Sequence, residues 1–179
     1  GAGMSVESGL KTFRGHGGLW EGHAVQDVAT PDAWAKDPAM VLRFYNERFN
    51  QLKKAEPNRG HRILHELETI FDVTIITQNV DDLHERAGSS NIIHLHGELV
   101  KCRSSKTGEV FEMNKGGLRI GDLCSVGAQL RPHIVWFGEE VPELYRASQI
   151  VETADVFIVI GSSLQVYPAA SLLNFTSSH

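Results

Sequence analysis

The side chains of this chain best suited to chemistry gather in two short stretches. Thr77-Gln78-Asn79-Val80-Asp81-Asp82-Leu83-His84 follows the apolar run Val73-Thr74-Ile75-Ile76, and His94-Leu95-His96-Gly97-Glu98 follows Ile92-Ile93. In an open parallel sheet, ligands sit outside the carboxyl ends of the strands. Amides, carboxylates and imidazoles placed there can fix a sugar, polarise a bond and move a proton. A base that titrates near neutrality favours histidine. Strand alternation predicts that His94 and His96 share a face. The same residue types also make loop and helix-capping hydrogen bonds, a role that Asp82 and His84 fit well. His133, beside Pro132, fits a satisfied strand-end histidine.

To hold these side chains, the pattern predicts strands at 73–77, 91–95 and 133–136, and a buried strand at 156–160. Helices are expected from Asp37-Pro38 to about Lys54, from Pro57-Asn58 to about Glu68, at 142–153 and from near Pro168. Asp as cap with Pro in the first turn is a strong helix start. Ile63, Leu64 and Leu67 are expected on the buried side of the second helix. Residues 101–129 are polar, Gly-rich and weakly periodic, and read as a small irregular insert. Strands alternating with helices indicate an α/β fold, a Rossmann-like parallel sheet with a small insert module.

Three further segments point to ligands. Gly1-Ala2-Gly3 begins a G-x-G-x-x-G pattern that Val6 does not complete, with Ser5, Ser8 and Thr12-Phe13-Arg14 following. Backbone N–H groups at such a turn can face a pyrophosphate. Arg14 can neutralise phosphate, and Phe13 reads as a lid over a departing group or as a core aromatic. Val41, Phe44, Tyr45, Arg48 and Leu52 form one helical stripe. Arg48 interrupts it, and a buried guanidinium needs an anion unless it snorkels or joins a structural ion pair. Val135-Trp136-Phe137-Gly138-Glu139 leads from a strand into a loop, either a peptide-pairing edge or a buried strand with a core Trp.

Composition narrows the classes. A formal charge of −5, with no Lys/Arg run, argues against nucleic acid or an anionic membrane as partner. The longest apolar runs, such as Val156-Phe157-Ile158-Val159-Ile160, fall far short of the ~20 residues that span a bilayer. Two cysteines are too few for a disulfide framework, so a reducing cytoplasm is the expected compartment.

Thr77-Gln78-Asn79-Val80-Asp81 followed by His96-Gly97 resembles the core of the sirtuins, NAD-dependent protein deacylases. Gly1–Gly15 with Gly18-Leu19-Trp20 resembles their opening nucleotide loop. Leu130–Glu139 resembles their substrate segment, and Gly161-Ser162-Ser163-Leu164-Gln165-Val166-Tyr167-Pro168-Ala169 a later nucleotide-contacting turn. The resemblance covers nearly the whole chain and implies NAD as cofactor and acylated-lysine proteins as partners. In that reaction the acyl oxygen attacks C1′ of the nicotinamide ribose, nicotinamide leaves, and a base activates the ribose hydroxyls for acyl transfer. The resemblance makes His96 the base and His94 structural. Asn79 would position ribose or water, Gln78 the ribose, and Asp81 the nicotinamide carboxamide. Gly1, Ala2, Gly3, Ser5, Thr12, Phe13, Arg14, Gly161, Ser162 and Ser163 complete the cofactor set. Val135, Trp136, Phe137 and Gly138 would pair with the peptide by β-augmentation. Tyr45 and Arg48 resemble the acyl-pocket pair of the succinyl- and malonyl-lysine deacylases, where Arg binds the acyl carboxylate.

The chain departs from the family in one respect. Most sirtuins carry two C-x-x-C pairs that hold a structural zinc, but Cys102 is matched by Ser105 and Cys124 by Gly127. Two thiolates do not close a tetrahedral site, so no metal is expected, with residues 101–129 standing in place of the zinc module and 37–70 as its helical part. Gly1 opens within a motif and Asn174–His179 ends just past a helix, so the chain is expected to be a fragment with exposed strand edges. An NAD-dependent desuccinylase or demalonylase, an ADP-ribosyltransferase on the same scaffold, and a non-catalytic NAD or acyl-peptide binding fragment all remain open.

Overall fold

The structure is a computed structural model that describes residues 1–12, 19–20 and 22–176. Phe13 and Arg14 lie outside the described residues. A 3-10 helix, Ala2–Ser8, opens the chain where a loop was expected. The short pair β1 (Leu19–Trp20) and β2 (His23–Ala24) leads into helices α1 (Val25–Val28), α2 (Pro31–Lys36), α3 (Pro38–Leu52) and α4 (Arg59–Leu67). The start of α3 follows from its sequence: Pro38 is the first residue, and the Asp37 side chain accepts from Met40 N at 2.8 Å. Its stripe is buried as the spacing requires, Arg48 included. In α4 the Asn58 side chain caps the helix, and His61 Nδ1 accepts from Asn58 N at 3.3 Å. Here the expected buried face is wrong. Ile63 is exposed and Leu64 and Leu67 only half-buried, while His61 is the buried residue. The helix turns its imidazole inward against His84, with ring centroids 4.8 Å apart.

Strands β3 (Ile75–Thr77) and β4 (Ile92–His94) pair in parallel, Thr77 opposite His94, with α5 (Leu83–Ala87) between them in sequence. The chain then leaves this sheet. Strand β5 (Gly97–Ser104) pairs antiparallel with β6 (Val110–Glu112) on one side and β7 (Leu130–Ile134) on the other. The segment expected to be irregular therefore contributes strands to a second sheet. Cys102 and Leu118 pack with Leu42 of α3 in a small apolar cluster of that region. The expected strand at 133–136 ends at Ile134 and is antiparallel.

The expected buried strand at 156–160 does not form. Val156 and Ile158 are among the most exposed apolar side chains, at 74% and 65%. A strand needs a neighbour to satisfy its backbone, and among the described residues none pairs with this run. Helix α6 (Leu144–Thr153) and a 3-10 helix at Ala169–Phe175 pack instead on Ile93 and Leu95. The larger apolar cluster joins α3 to β5, β7 and Trp136. No helix among the described residues is long and apolar enough to cross a membrane.

Candidate active site

A cavity of about 790 Å³ opens where the two sheets, α3 and the chain's glycine turns meet. It gathers every described residue for which the sequence predicts a catalytic, cofactor-binding or substrate-binding role. Gly1, Ala2, Gly3, Ser5 and Thr12 line it with Gly161, Ser162 and Ser163; Gln78, Asn79, Asp81 and His96 line it from the ends of the strands; Tyr45, Arg48, Val135, Trp136, Phe137 and Gly138 complete the wall. Lys11, Gln51, Leu99, Gln165 and Tyr167 also reach it. Of these, Gln165 and Tyr167 fall inside a motif already conspicuous in sequence, whereas Leu99 and Gln51 carry no chemical signal.

The two glycine turns are built against each other. Gly3 N donates to Gly161 O at 2.9 Å, and Gly1 N donates to Ile160 O at 2.8 Å. A Cβ on Gly1 would stand 2.6 Å from Gly161 O and 2.7 Å from Ser162 Cα. Gly161 itself has φ 61°, and a side chain there would collide with Met4 N. Glycine is thus required for the contact, and the cavity surface here is backbone rather than side chain. The amides of Gly3 and Met4 are turned to protein acceptors rather than outward. This close-packed, side-chain-free cradle, with Ser5, Ser162 and Ser163 beside it, suits an extended dinucleotide such as NAD.

Asn79 and Asp81 are buried and joined through Ser5. Asn79 Nδ2 donates to Gly1 O and to Ser5 Oγ, each at 3.2 Å, and Ser5 Oγ donates to Asp81 Oδ2 at 2.9 Å. Asp81 Oδ1 accepts from Leu83 N at 3.3 Å, so Asp81 supports the start of α5. Asp82, the residue suited to capping by type, occupies the cap position but makes no side-chain cap bond. Burial raises its carboxyl, partly offset by Arg86.

The two histidines of His94-Leu95-His96 part company. Strand β4 ends at His94, and Leu95 and His96 form a turn, so the expected alternation does not apply. Gly97, at φ 81°, makes that turn possible; a side chain on it would strike the carbonyl of His133. His96 lines the cavity, and burial lowers its pKa, partly offset by a hydrogen bond to the Gln78 backbone. A neutral imidazole at neutral pH can accept a proton. His94 is not among the cavity-lining residues and bonds Asn79 O and Glu85.

At the far wall, Trp136 Nε1 donates to Tyr45 Oη at 3.0 Å. Burial raises the Tyr45 pKa and keeps the hydroxyl neutral, against the smaller opposing effects of the Trp136 bond and Arg48. The Trp136 backbone N donates to Glu139, which Arg131 and Arg103 also grip. Arg48 is 9% exposed, with its guanidinium 4.5 Å from the Phe44 ring centre. Nη2 donates to the exposed carboxylate of Glu47 at 3.3 Å, while Nε and Nη1 are buried with no partner among the described residues. A buried unsatisfied donor costs about 1–3 kcal/mol, more when charged. Cys102 is buried, and Cys124 Sγ lies 3.3 Å from Ser104 Oγ.

The Sir2 family model matches residues 1–168. The chain belongs to the Sir2 family. A Bacteroides thetaiotaomicron relative named NAD-dependent protein deacylase is 55% identical over 98% of this chain and 77% of its own length. A Helicobacter pylori relative of the same name is 58% identical over 96% of this chain and 74% of its own length. A solved Sir2 homolog–NAD complex superposes with a TM-score of 0.87 at 47% identity, covering 97% of this chain and 70% of that one. A Sir2–p53 peptide–NAD⁺ structure does so with a TM-score of 0.80 at 33% identity, covering 98% and 73%. The Rossmann-like α/β fold is therefore that of the family.

Proposed function

We propose that this Sir2-family chain is an NAD-dependent protein-lysine deacylase that prefers acidic acyl groups of the succinyl or malonyl type. The observation that carries the preference is Arg48, a buried cation on the cavity wall whose Nε and Nη1 meet no acceptor among the described residues. A carboxylate at the end of an acyl chain supplies the missing acceptors through charge-assisted bonds; an acetyl group supplies none. The deacylase reading itself rests on family membership and on the names of relatives more than half identical.

In this reading NAD supplies an electrophilic ribose carbon and a leaving group. The protein supplies placement and proton transfer. Ser5, Asn79 and Asp81 hold the reacting end of the dinucleotide between the glycine turns, with Gln78 beside the ribose. His96, neutral at working pH, takes the proton from a ribose hydroxyl. Val135–Gly138 presents backbone to an extended acyl-lysine peptide, and Tyr45 and Arg48 receive the acyl tail. Residues 37–70 and 101–129 act as one small module over this site, with apolar packing around Cys102 and Leu118 in place of a zinc centre.

Mass spectrometry of NAD incubated with acetyl-, succinyl- and malonyl-lysine peptides tests this directly. The expected products are nicotinamide and acyl-ADP-ribose, formed faster from the acidic acyl peptides. ADP-ribosylated protein would make the chain a transferase, and unchanged NAD with every peptide would make it a binding module.

A further inference from the structure

His94 ends β4 and is not among the residues that line the cavity. Its ring bridges two groups: Nδ1 lies 3.1 Å from the backbone oxygen of Asn79, and Nε2 lies 2.6 Å from Glu85 Oε1. The side chain is only 8% exposed, so water does not substitute freely for either partner. A carbonyl oxygen and a carboxylate can only accept hydrogen bonds. A neutral imidazole carries one N–H and one lone pair, and would set that lone pair against one of the two acceptors. Only the doubly protonated ring satisfies both.

The charges around the ring agree. Glu85 faces it from α5 and Glu98 from β5, the latter paired with Lys101 at 2.9 Å. Among the described residues, His84 on α5 and His133 on β7 also interact with it, and both are shifted toward the neutral form, chiefly by burial. Burial opposes the charge on His94, but Glu85, Glu98 and the Asn79 carbonyl outweigh it, and its pKa is raised. Glu85 is correspondingly lowered by the His94 bond and charge, against its own burial, so the shared proton belongs to the imidazole.

We propose that His94 is an imidazolium strut, a positioning residue that pins the Asn79 backbone to α5 and thereby holds the Asn79 side chain on Gly1 and Ser5. The mechanical consequence rests on the reading of Asn79 as part of the active site. It gives the two histidines of one short motif opposite charge states, His96 neutral and His94 charged, and turnover needs both. When His94 loses a proton at alkaline pH, the proton that stays is the one facing the Glu85 carboxylate, because that bond is charge-assisted. The Asn79 carbonyl is then released. Replacing Glu85 with Gln reverses the choice: the Gln amide can donate to Nε2, the remaining proton stays on Nδ1, and Asn79 stays held.

The test combines ring ¹⁵N NMR with kinetics on wild type and Glu85→Gln. At neutral pH the wild-type His94 ring should carry both protons. The Asn79 side-chain amide should move with the His94 titration in wild type and stay still in Glu85→Gln. The alkaline limb of kcat should be present in wild type and weakened or absent in the variant, with KM for the peptide little changed. A singly protonated His94 ring at neutral pH, an Asn79 amide indifferent to its titration, or an alkaline limb identical in both proteins would overturn the strut. Failure of every acyl peptide to turn over would instead overturn the deacylase reading, and the two NMR observations would still decide the strut.

Discussion

On one side of the cavity Ser5, Asn79 and Asp81 satisfy one another, while on the other Arg48 keeps Nε and Nη1 buried without an acceptor among the described residues. The first side is finished before any ligand arrives. Its polar groups are fixed by bonds to Gly1, Leu83 and the facing glycine turn, so little reorganisation is needed on binding. The second side carries a buried charge whose carboxylate partner, Glu47, is exposed and meets Nη2 alone, an arrangement that is costly in the free protein. A site that always takes the same cofactor can be closed on itself. On the proposed reading, a pocket that chooses among acyl groups keeps its strongest donor in reserve.

The largest effect expected from breaking the pre-formed side is at His96. His96→Ala should lower kcat by about 10²- to 10⁴-fold, as loss of a general base does, with the peptide still bound. His94→Ala should lose less, because His94 acts through Asn79. Steady-state kinetics of both variants decide the order, and a dead His94→Ala beside a nearly normal His96→Ala would reverse the assignment.

Beneath the same loop, the buried rings of His61 and His84 link it to α4. Burial and the neighbouring His61 lower the His84 pKa from 6.5 to about 4. Since the unfolded chain binds this proton more readily, stability should fall as the pH drops from about 6.5 to about 4 and rise with pH across that window. The loss is of order 3 kcal/mol. Denaturant titrations across the window should show it in wild type and much less of it in His84→Phe. Equal pH slopes in the two proteins would remove the pair from the account.

The smallest expected effect is none. The insert around Cys102 and Cys124 should hold without zinc, so a chelator should leave the Tm unchanged and elemental analysis should find no stoichiometric metal. Near-stoichiometric zinc lost on Cys102→Ala would show that other ligands complete a centre that the missing C-x-x-C partners rule out on spacing alone.

How much of this was readable in sequence depended on whether a feature was local. The cap at Asp37, Pro38 in the first turn and the stripe through Arg48 are properties of a single helix, and the structure has them all. The polar stretch 77–81 follows directly from the end of β3. The failures lie where a distant partner decides. Val156–Ile160 has the composition of a buried strand, yet no described strand pairs with it, and all its side chains but the half-buried Phe157 are exposed. Ile63 has helical spacing, but His84 sits where α4 packs and draws in His61 instead. The face shared by His94 and His96 assumed that the strand continues, whereas the chain turns at Leu95 on the strength of a positive φ at Gly97. Strands β5, β6 and β7 form a sheet in which β7 joins β5 by long-range pairing that a polar, Gly-rich sequence does not advertise.

The contrast between the two sides is tested most directly by kcat/KM for succinyl- and acetyl-lysine peptides in wild type, Tyr45→Phe and Arg48→Met. Wild type should favour succinyl-lysine. Arg48→Met keeps length and apolarity but removes the guanidinium, and should lose about 2–5 kcal/mol of that discrimination. Its acetyl-lysine activity should hold or rise, because a buried charge with unsatisfied nitrogens is gone. Tyr45→Phe should move the same way by about 1 kcal/mol. An unchanged succinyl-to-acetyl ratio in Arg48→Met would make Arg48 a structural residue and this protein a general deacetylase.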